Sequence, residues 1–271
     1  MVRINAMNGP KFKKPPVVER VLSVQFQELY PFDIVHFGLW YNLIRDEYPD
    51  FERQNPLERI DEPFPFIARQ QRHQIGLQLT PPLPRMVFSR SGSTNELLQL
   101  QSNRLTMNWG HSGEVSEYVD FTQICEQFSQ WFEELLSFCK DHKISEPVVD
   151  LCEVTYVNQI TPLPPQTAME YFSSVFMSVN PKSQVEWLST PRALTYNRVF
   201  DIADDQGRLY FESGAPLVEM DAIGLKMTGR AVVEPEQSWR DRMKIAHDWV
   251  VNGFEALTSD MVRQQDWEQH Q

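Results

Sequence analysis

The stretches RMVFSRSGSTNELLQLQS at 85–102 and YNRVFDIADDQGRLYFES at 196–213 can be laid over one another. Each enters on Arg or Asn-Arg, carries a Val-Phe pair, turns on a polar tip holding one glycine, and leaves on a leucine-bearing run. Extended runs around a tip of that kind are written as β-hairpins. A chain with two such hairpins has to surround each with elements that bury its apolar side, and the flanking sequence supplies them in the same order twice.

Before the first hairpin, residues 19–27 put Leu22, Val24 and Phe26 on one face and Val21, Ser23 and Gln25 on the other, the period of a half-buried strand. Pro31 and Asp33 then suit a first helical turn. Ile34, Phe37, Trp40, Tyr41 and Ile44 recur at helical spacing until Tyr48-Pro49 stops the run. Residues 49–65, rich in proline and charge, read as a long connection, and 66–70 and 74–79 each predict a short strand. Glu96 to Trp109 reads as one extended run. It places Gln99, Gln101 and Trp109 on one side and Arg104, Thr106 and Asn108 on the other. A helix from Phe121 to Lys140 follows, with Ile124, Phe128, Phe132, Leu135 and Cys139 on its apolar stripe.

The second half predicts a strand over 148–160, a rigid TPLPP corner, a helix from Thr167 to Met177, and a hairpin of Leu194–Ile202 with Arg208–Glu212 tipped at Gly207. One or two strands in 217–233 and a long helix from Trp239 to Leu257 complete it. The expected class is therefore α+β, built of two similar halves, each β-α-β(3–4)-α with a curved antiparallel sheet and a long C-terminal helix. Residues 1–15 read as a mobile basic arm, 16–145 as the first half and 146–271 as the second, together one compact domain or two units. This order resembles the half-unit of the TATA-binding-protein and helix-grip folds.

Composition narrows the partners. The net charge of −12 and pI near 5.0 argue against bulk binding to polyanions, which requires lysine and arginine to release counterions. The charge is uneven: roughly three-quarters of it belongs to 146–271, whereas Arg59, Arg69, Arg72, Arg85, Arg90 and Arg104 share their window with only Asp61, Glu62 and Glu96. The three cysteines make neither a disulfide framework nor a metal clamp, and the amino-terminal residues have no apolar signal segment. A cytoplasmic protein with a protein partner is expected. Neither membrane nor nucleic acid is expected as a partner, and homo-oligomerisation is left open.

Catalytic signatures are missing. No HExxH, GxSxG, Walker loop or GxGxxG occurs, and glycine is 11 of 271 residues, which disfavours a phosphate cradle. No catalytic residue, metal or cofactor is expected. The amide-bearing strands offer binding candidates instead: Gln99, Gln101, Arg104, Asn108, Trp109, Glu153, Tyr156, Asn158 and His247. Two accounts of them compete. In one, Arg104 and Glu153 form a sheet-crossing ion pair and the glutamines face solvent. In the other, these residues line a groove, an interface, or a cavity holding Arg104, Glu153, Tyr156 and His247, as in a small-ligand or nucleotide-binding protein or a hydrolase.

The segments PPVVERVLSVQF (15–26), HFGLWYNLIRDEYPDFE (36–52), LLQLQSNRLTMNW (97–109), EVTYVNQI (153–160) and AHDWVVNGFEALTSDMVRQQDW (246–267) resemble a sporadically distributed prokaryotic family of unknown function, with its PPVVE-like opening strand and QxQxxRxxxNW pattern. Through its patchy distribution the resemblance implies a regulatory or neutralising component of a defence or toxin–antitoxin module. Its members often carry a basic or aromatic residue soon after Asn-Trp. This chain has Gly110-His111-Ser112-Gly113 there.

Overall fold

The computed structural model describes residues 11–64, 82–92, 96–110, 119–162, 164–176, 191–203, 206–217 and 221–270. The alternating run forms strand β2 (Val17–Phe26), after a short β1 (Lys11–Phe12). Its even positions Leu22, Val24 and Phe26 are fully buried, and its odd positions Ser23 and Gln25 are buried on the opposite face. The strand is therefore covered on both sides, and the polar side needs partners of its own.

Among the described residues, nine strands form one antiparallel sheet in the order β3-β4-β5-β6-β2-β7-β10-β9-β8. The others are β3 (Asp50–Gln54), β4 (Arg85–Ser89), β5 (Glu96–Gln101), β6 (Arg104–Gly110), β7 (Val149–Ile160), β8 (Leu194–Ile202), β9 (Gly207–Ala215) and β10 (Ile223–Val232). β2 and β7 pair along the middle of the sheet, with Leu22 opposite Val154 and Val24 opposite Cys152. Both predicted hairpins are present, with Met86 opposite Leu100 and Phe200 opposite Leu209.

The helices lie against one face. α1 (Ile34–Ile44) starts at Asp33, whose side chain accepts from the Val35 amide while His36 Nδ1 accepts from the Asp33 amide, a capping box that accounts for this histidine. Trp40 of α1 meets Phe138 of α2 (Phe121–Asp141) edge to face, with ring centroids 5.4 Å apart. α3 (Ala168–Val175) is capped by Thr167, and Phe176 just beyond it packs on Phe211 of β9. Burial of each such phenylalanine contributes about 1.5–3 kcal/mol. α4 (Trp239–Leu257) approaches β10 so closely that a Cβ on Gly229 would lie 2.3 Å from the Ala246 carbonyl oxygen. α5 (Asp260–Gln265) and β11 (Gln269–His270) end the described chain. None of the helices among the described residues is long and apolar enough to cross a membrane.

Several expectations change. Ordered structure starts before Val17, because β1 pairs with β11 and Phe12 packs on Phe254 and Trp267. Residues 50–54, read as connection, form the edge strand β3. All five are exposed, so no apolar alternation announced them. The run 96–109 is two strands, because Ser102-Asn103 makes a tight turn and Gln101 sits opposite Arg104. That turn reverses the side assignment: Gln99 and Gln101 share a face with Arg104, Thr106 and Asn108, while Trp109 joins Leu98 and Leu100 under the helices. The strands expected at 66–70 and 74–79 lie outside the described residues, apart from which 217–233 supplies a single long strand, β10.

Two glycines on these surfaces give opposite expectations. Gly229→Ala forces α4 off the sheet and is expected to cost about 1–3 kcal/mol as overpacking. Gly38→Ala, in the interior of α1 with open space around its Cα, is expected to add about 0.5–1 kcal/mol. Urea unfolding of the two variants distinguishes them, and the reverse order would contradict this packing.

Candidate functional site

The face of the sheet away from the helices carries a polar side chain on each strand from β4 across to β9, among apolar ones such as Val21, Val87 and Leu151. Its groups are met by a strap, residues 55–64, that leaves β3 and crosses above β5, β6, β2, β7, β10 and β9 in turn. Pro56 and Pro63 near its two ends favour extended backbone and carry no amide proton. Among the described residues no backbone–backbone hydrogen bond joins the strap to a strand. Side chains of the sheet hold it instead.

Two glutamines do this in the same way. Gln101 of β5 accepts from the Leu57 amide at 3.0 Å and donates to the Leu57 carbonyl at 3.1 Å. Gln25 of β2 accepts from the Ile60 amide at 2.7 Å and donates to the Ile60 carbonyl at 2.9 Å. A carboxamide carries one acceptor and donors in one plane, so it reads both polar groups of an extended residue at once. Between these two grips, Arg104 Nη2 donates to the Gln25 Oε1 and to the Glu58 carbonyl. Burial pushes the Arg104 pKa down, and Glu153 opposes that only from a distance. Arg59 of the strap reaches the Phe26 carbonyl and pairs with Asp150.

The strap ends in a socket. The Glu62 side chain, 2% exposed, receives Nη1 of Arg208 and Nη1 of Arg230, each at 2.9 Å, and the Tyr210 hydroxyl at 2.8 Å. Arg208 also donates to Asp201 and to the Pro63 carbonyl, and its guanidinium lies 4.3 Å from the Phe64 ring centroid. Burial pulls the pKa of Arg230 down, but Glu153 and Glu62 outweigh it and the value rises. Burial and the Glu62 carboxylate both push Tyr210 up. Charge-assisted bonds of this kind are about twice as strong as neutral ones, and the carboxylate is fully enclosed by them.

The residues singled out from the sequence divide between the two faces. Gln99, Gln101, Arg104, Asn108 and Glu153 lie on the strap face, where Gln99 accepts from Arg85 and donates to Asn108, which in turn donates to Glu19. Trp109, Tyr156, Asn158 and His247 lie on the helix face. There the fully buried Arg20 of β2 stands between its two strand neighbours, its guanidinium 4.3 Å from the Trp109 ring and 5.9 Å from that of Tyr156. His247 stacks on Phe121 at 3.6 Å. Burial raises the pKa of the adjacent Asp248, but hydrogen bonds from His247 and Lys244 more than reverse it. Arg104 and Glu153 therefore share no cavity with Tyr156 and His247, because the sheet stands between them. Nor do Arg104 and Glu153 pair directly: Glu153 receives Nε of Arg230 at 2.7 Å.

The residues that hold the strap went largely unselected. Gln25, Glu62, Arg208, Tyr210 and Arg230 are the omissions, and their signal is one of parity: each is a polar residue that recurs opposite the apolar side of its strand or stands in a proline-bracketed stretch. Of the clustered arginines of the first half, Arg59, Arg85, Arg90 and Arg104 are each engaged by groups of the same chain, and Arg69 and Arg72 lie outside the described residues.

Elsewhere, a pocket of about 420 Å³, counting its open mouth, lies between Phe12, Pro15, Asn158, Val250 and Phe254. The thiols are placed for packing: burial pushes Cys139 up to about 12 and raises Cys125 and Cys152 as well. Among the described residues no group of three or more His, Cys, Asp or Glu side chains is arranged to hold a metal. Compared with protein-family models and with curated proteins, the chain matches none.

The two acids that meet Arg208 are expected to behave differently. Glu62→Ala leaves two arginines facing a buried void and is expected to cost about 3–5 kcal/mol in chemical denaturation. Asp201→Ala removes a carboxylate that is 57% exposed and is expected to cost at most about 1 kcal/mol. Equal effects would mean that the socket is open to water.

Proposed function

We propose that this chain is a non-enzymatic binding protein whose polar sheet face holds an extended segment of a protein partner. The observation that carries the reading is the pair of two-point grips made by Gln25 and Gln101 on the backbone of Ile60 and Leu57. Contacts to backbone groups hold a chain in an extended form without depending on its side chains, and pockets or charges nearby supply selectivity. In the free protein the strap is the segment so held.

The strand order supports the duplicated architecture within this proposal. β2 and β7 adjoin at the centre, and each is flanked by the last strand of the run that follows it, β6 or β10. Two β-α-β(3–4)-α halves joined by their first strands produce that order, as in TATA-binding-protein-like folds. α1 supports a protein partner in a second way. It exposes Ile34, Val35, Leu39 and Leu43 on its outer side, a contiguous apolar strip of the kind that marks association surfaces. Alongside the resemblance to the sporadic prokaryotic family, this gives a cytoplasmic regulatory or neutralising component of a defence or toxin–antitoxin module.

Crosslinking in the native host tests the reading. The tagged protein is expected to crosslink to an extended segment of one partner through positions on β5, β6 and β2. A folded variant carrying Gln25→Ala and Gln101→Ala is expected to retain at most about a tenth of that crosslinked product, corresponding to the loss of two hydrogen-bonded grips. Crosslinks confined to other surfaces, or unchanged in the variant, would contradict it.

A further inference from the structure

We infer that the strap is an exchangeable occupant of this face, and that the socket of Arg208, Tyr210 and Arg230 selects the partner by a carboxylate side chain that takes the place of Glu62. The inference rests on the reading of the polar face as a binding surface and adds to it the chemistry of the segment that binds: extended, acidic, and carrying one Glu or Asp that is buried on docking.

Three features separate the strap from an integral part of the sheet. It is attached by side chains alone among the described residues, as a bound peptide is, without the backbone ladder that every strand beneath it has. Its outward side is exposed at Leu57, Glu58, Arg59 and Asp61, so nothing of the described chain has to move to let it lift. Its one enclosed side chain is the Glu62 carboxylate; Arg59 adds a more exposed side-chain contact to Asp150 and the Phe26 carbonyl, and the remaining anchors are backbone groups that any extended chain presents.

The socket sets the selectivity. Arg208 and Arg230 present one Nη1 each, with the Tyr210 hydroxyl beside them, all at 2.8–2.9 Å from the two oxygens of one carboxylate. Glu153 and Asp201 occupy the Nε side of the two arginines and hold the guanidinium planes in place. When the strap lifts, the two cations lose their shared counter-ion, so the open state is sparsely populated until another carboxylate enters. A neutral segment gripped only by the glutamines leaves that loss uncorrected. An acidic one restores it, which makes the strap a self-supplied competitor that raises the threshold for every ligand and raises it most for neutral ones.

A labelled synthetic peptide with the sequence of residues 54–64, made with either Glu or Gln at the position of Glu62, tests this against the full chain and its Glu62→Gln variant by fluorescence anisotropy. The variant is expected to bind the Glu peptide at least tenfold more tightly than the unaltered chain does, and at least tenfold more tightly than it binds the Gln peptide. Chymotryptic cleavage after Leu57 of the protein's own strap is expected to speed up as the Glu peptide is added. Should Glu62→Gln fail to fold, Arg59→Ala loosens the strap at Asp150 without touching the socket, and the same comparison of peptides applies. Equal binding of the two peptides would overturn the role of the socket while leaving the polar face as a binding surface. Binding of neither peptide, with the strap cleaved and therefore released, would overturn the binding surface itself. A strap that stays uncleaved in both variants would overturn its exchangeability.

Discussion

The hydrogen bonds from Gln25 and Gln101 to the backbone of the strap are the constraint on which the polar half of this protein depends. A strand in the middle of a sheet that is covered on both sides cannot leave a carboxamide without partners, since an unsatisfied buried group costs about 1–3 kcal/mol. The helices satisfy nothing on this face because they lie on the other one. The strap supplies the missing acceptors and donors, and in doing so it brings Arg59 to Asp150 and Glu62 to the two arginines of β9 and β10. Remove those two grips, and Arg104, Arg208 and Arg230 lose their cover, while Arg208 and Arg230 keep Asp201 and Glu153 but lose the Glu62 carboxylate they share.

The two faces of the sheet thus solve different problems. Under the helices the problem is packing, met by interlocking aromatic rings and by Gly229, which lets α4 approach the strands. Arg20 lies there too, a buried cation whose guanidinium stands over the Trp109 ring and near that of Tyr156. Under the strap the problem is polar satisfaction, met by a connected set of amides, arginines and carboxylates that spans six strands. Such a network is specific in a way that packing is not, because each member has few geometries that satisfy its neighbours.

Much of the scaffold was legible. Alternation in 19–27, Pro31 and Asp33 at the start of α1, the corner before Thr167, and the helical spacing of apolar residues in α2 and α4 are local signals, and local signals placed the corresponding strands and helices. The candidate site was legible only in part. Gln99, Gln101, Arg104 and Asn108 stood out as amides and a cation in an apolar strand, but a turn at Ser102-Asn103, with no glycine or proline to announce it, inverted their relation to Trp109. Glu62 was invisible for a different reason. Its partners Arg208, Tyr210 and Arg230 are more than a hundred residues away, and only the order β7-β10-β9 brings them beneath a loop that leaves the far edge of the sheet. A charged, proline-rich stretch reads as connection whether it floats free or lies clamped across six strands.

The exchange of the backbone amide hydrogens of Leu57 and Ile60 with solvent, measured in the native protein against those of Leu22 and Val154 in the central strands, tests the account most directly. A seated but exchangeable strap gives these two amides protection well above that of an unstructured chain, through an opening that costs clearly less than the opening of β2 and β7. Exchange at the rate of a free peptide would mean that the glutamines do not hold the strap. Exchange as slow as that of Leu22 and Val154 would mean that the strap opens only when the whole protein unfolds, and the polar face would then be a buried interior rather than a binding surface.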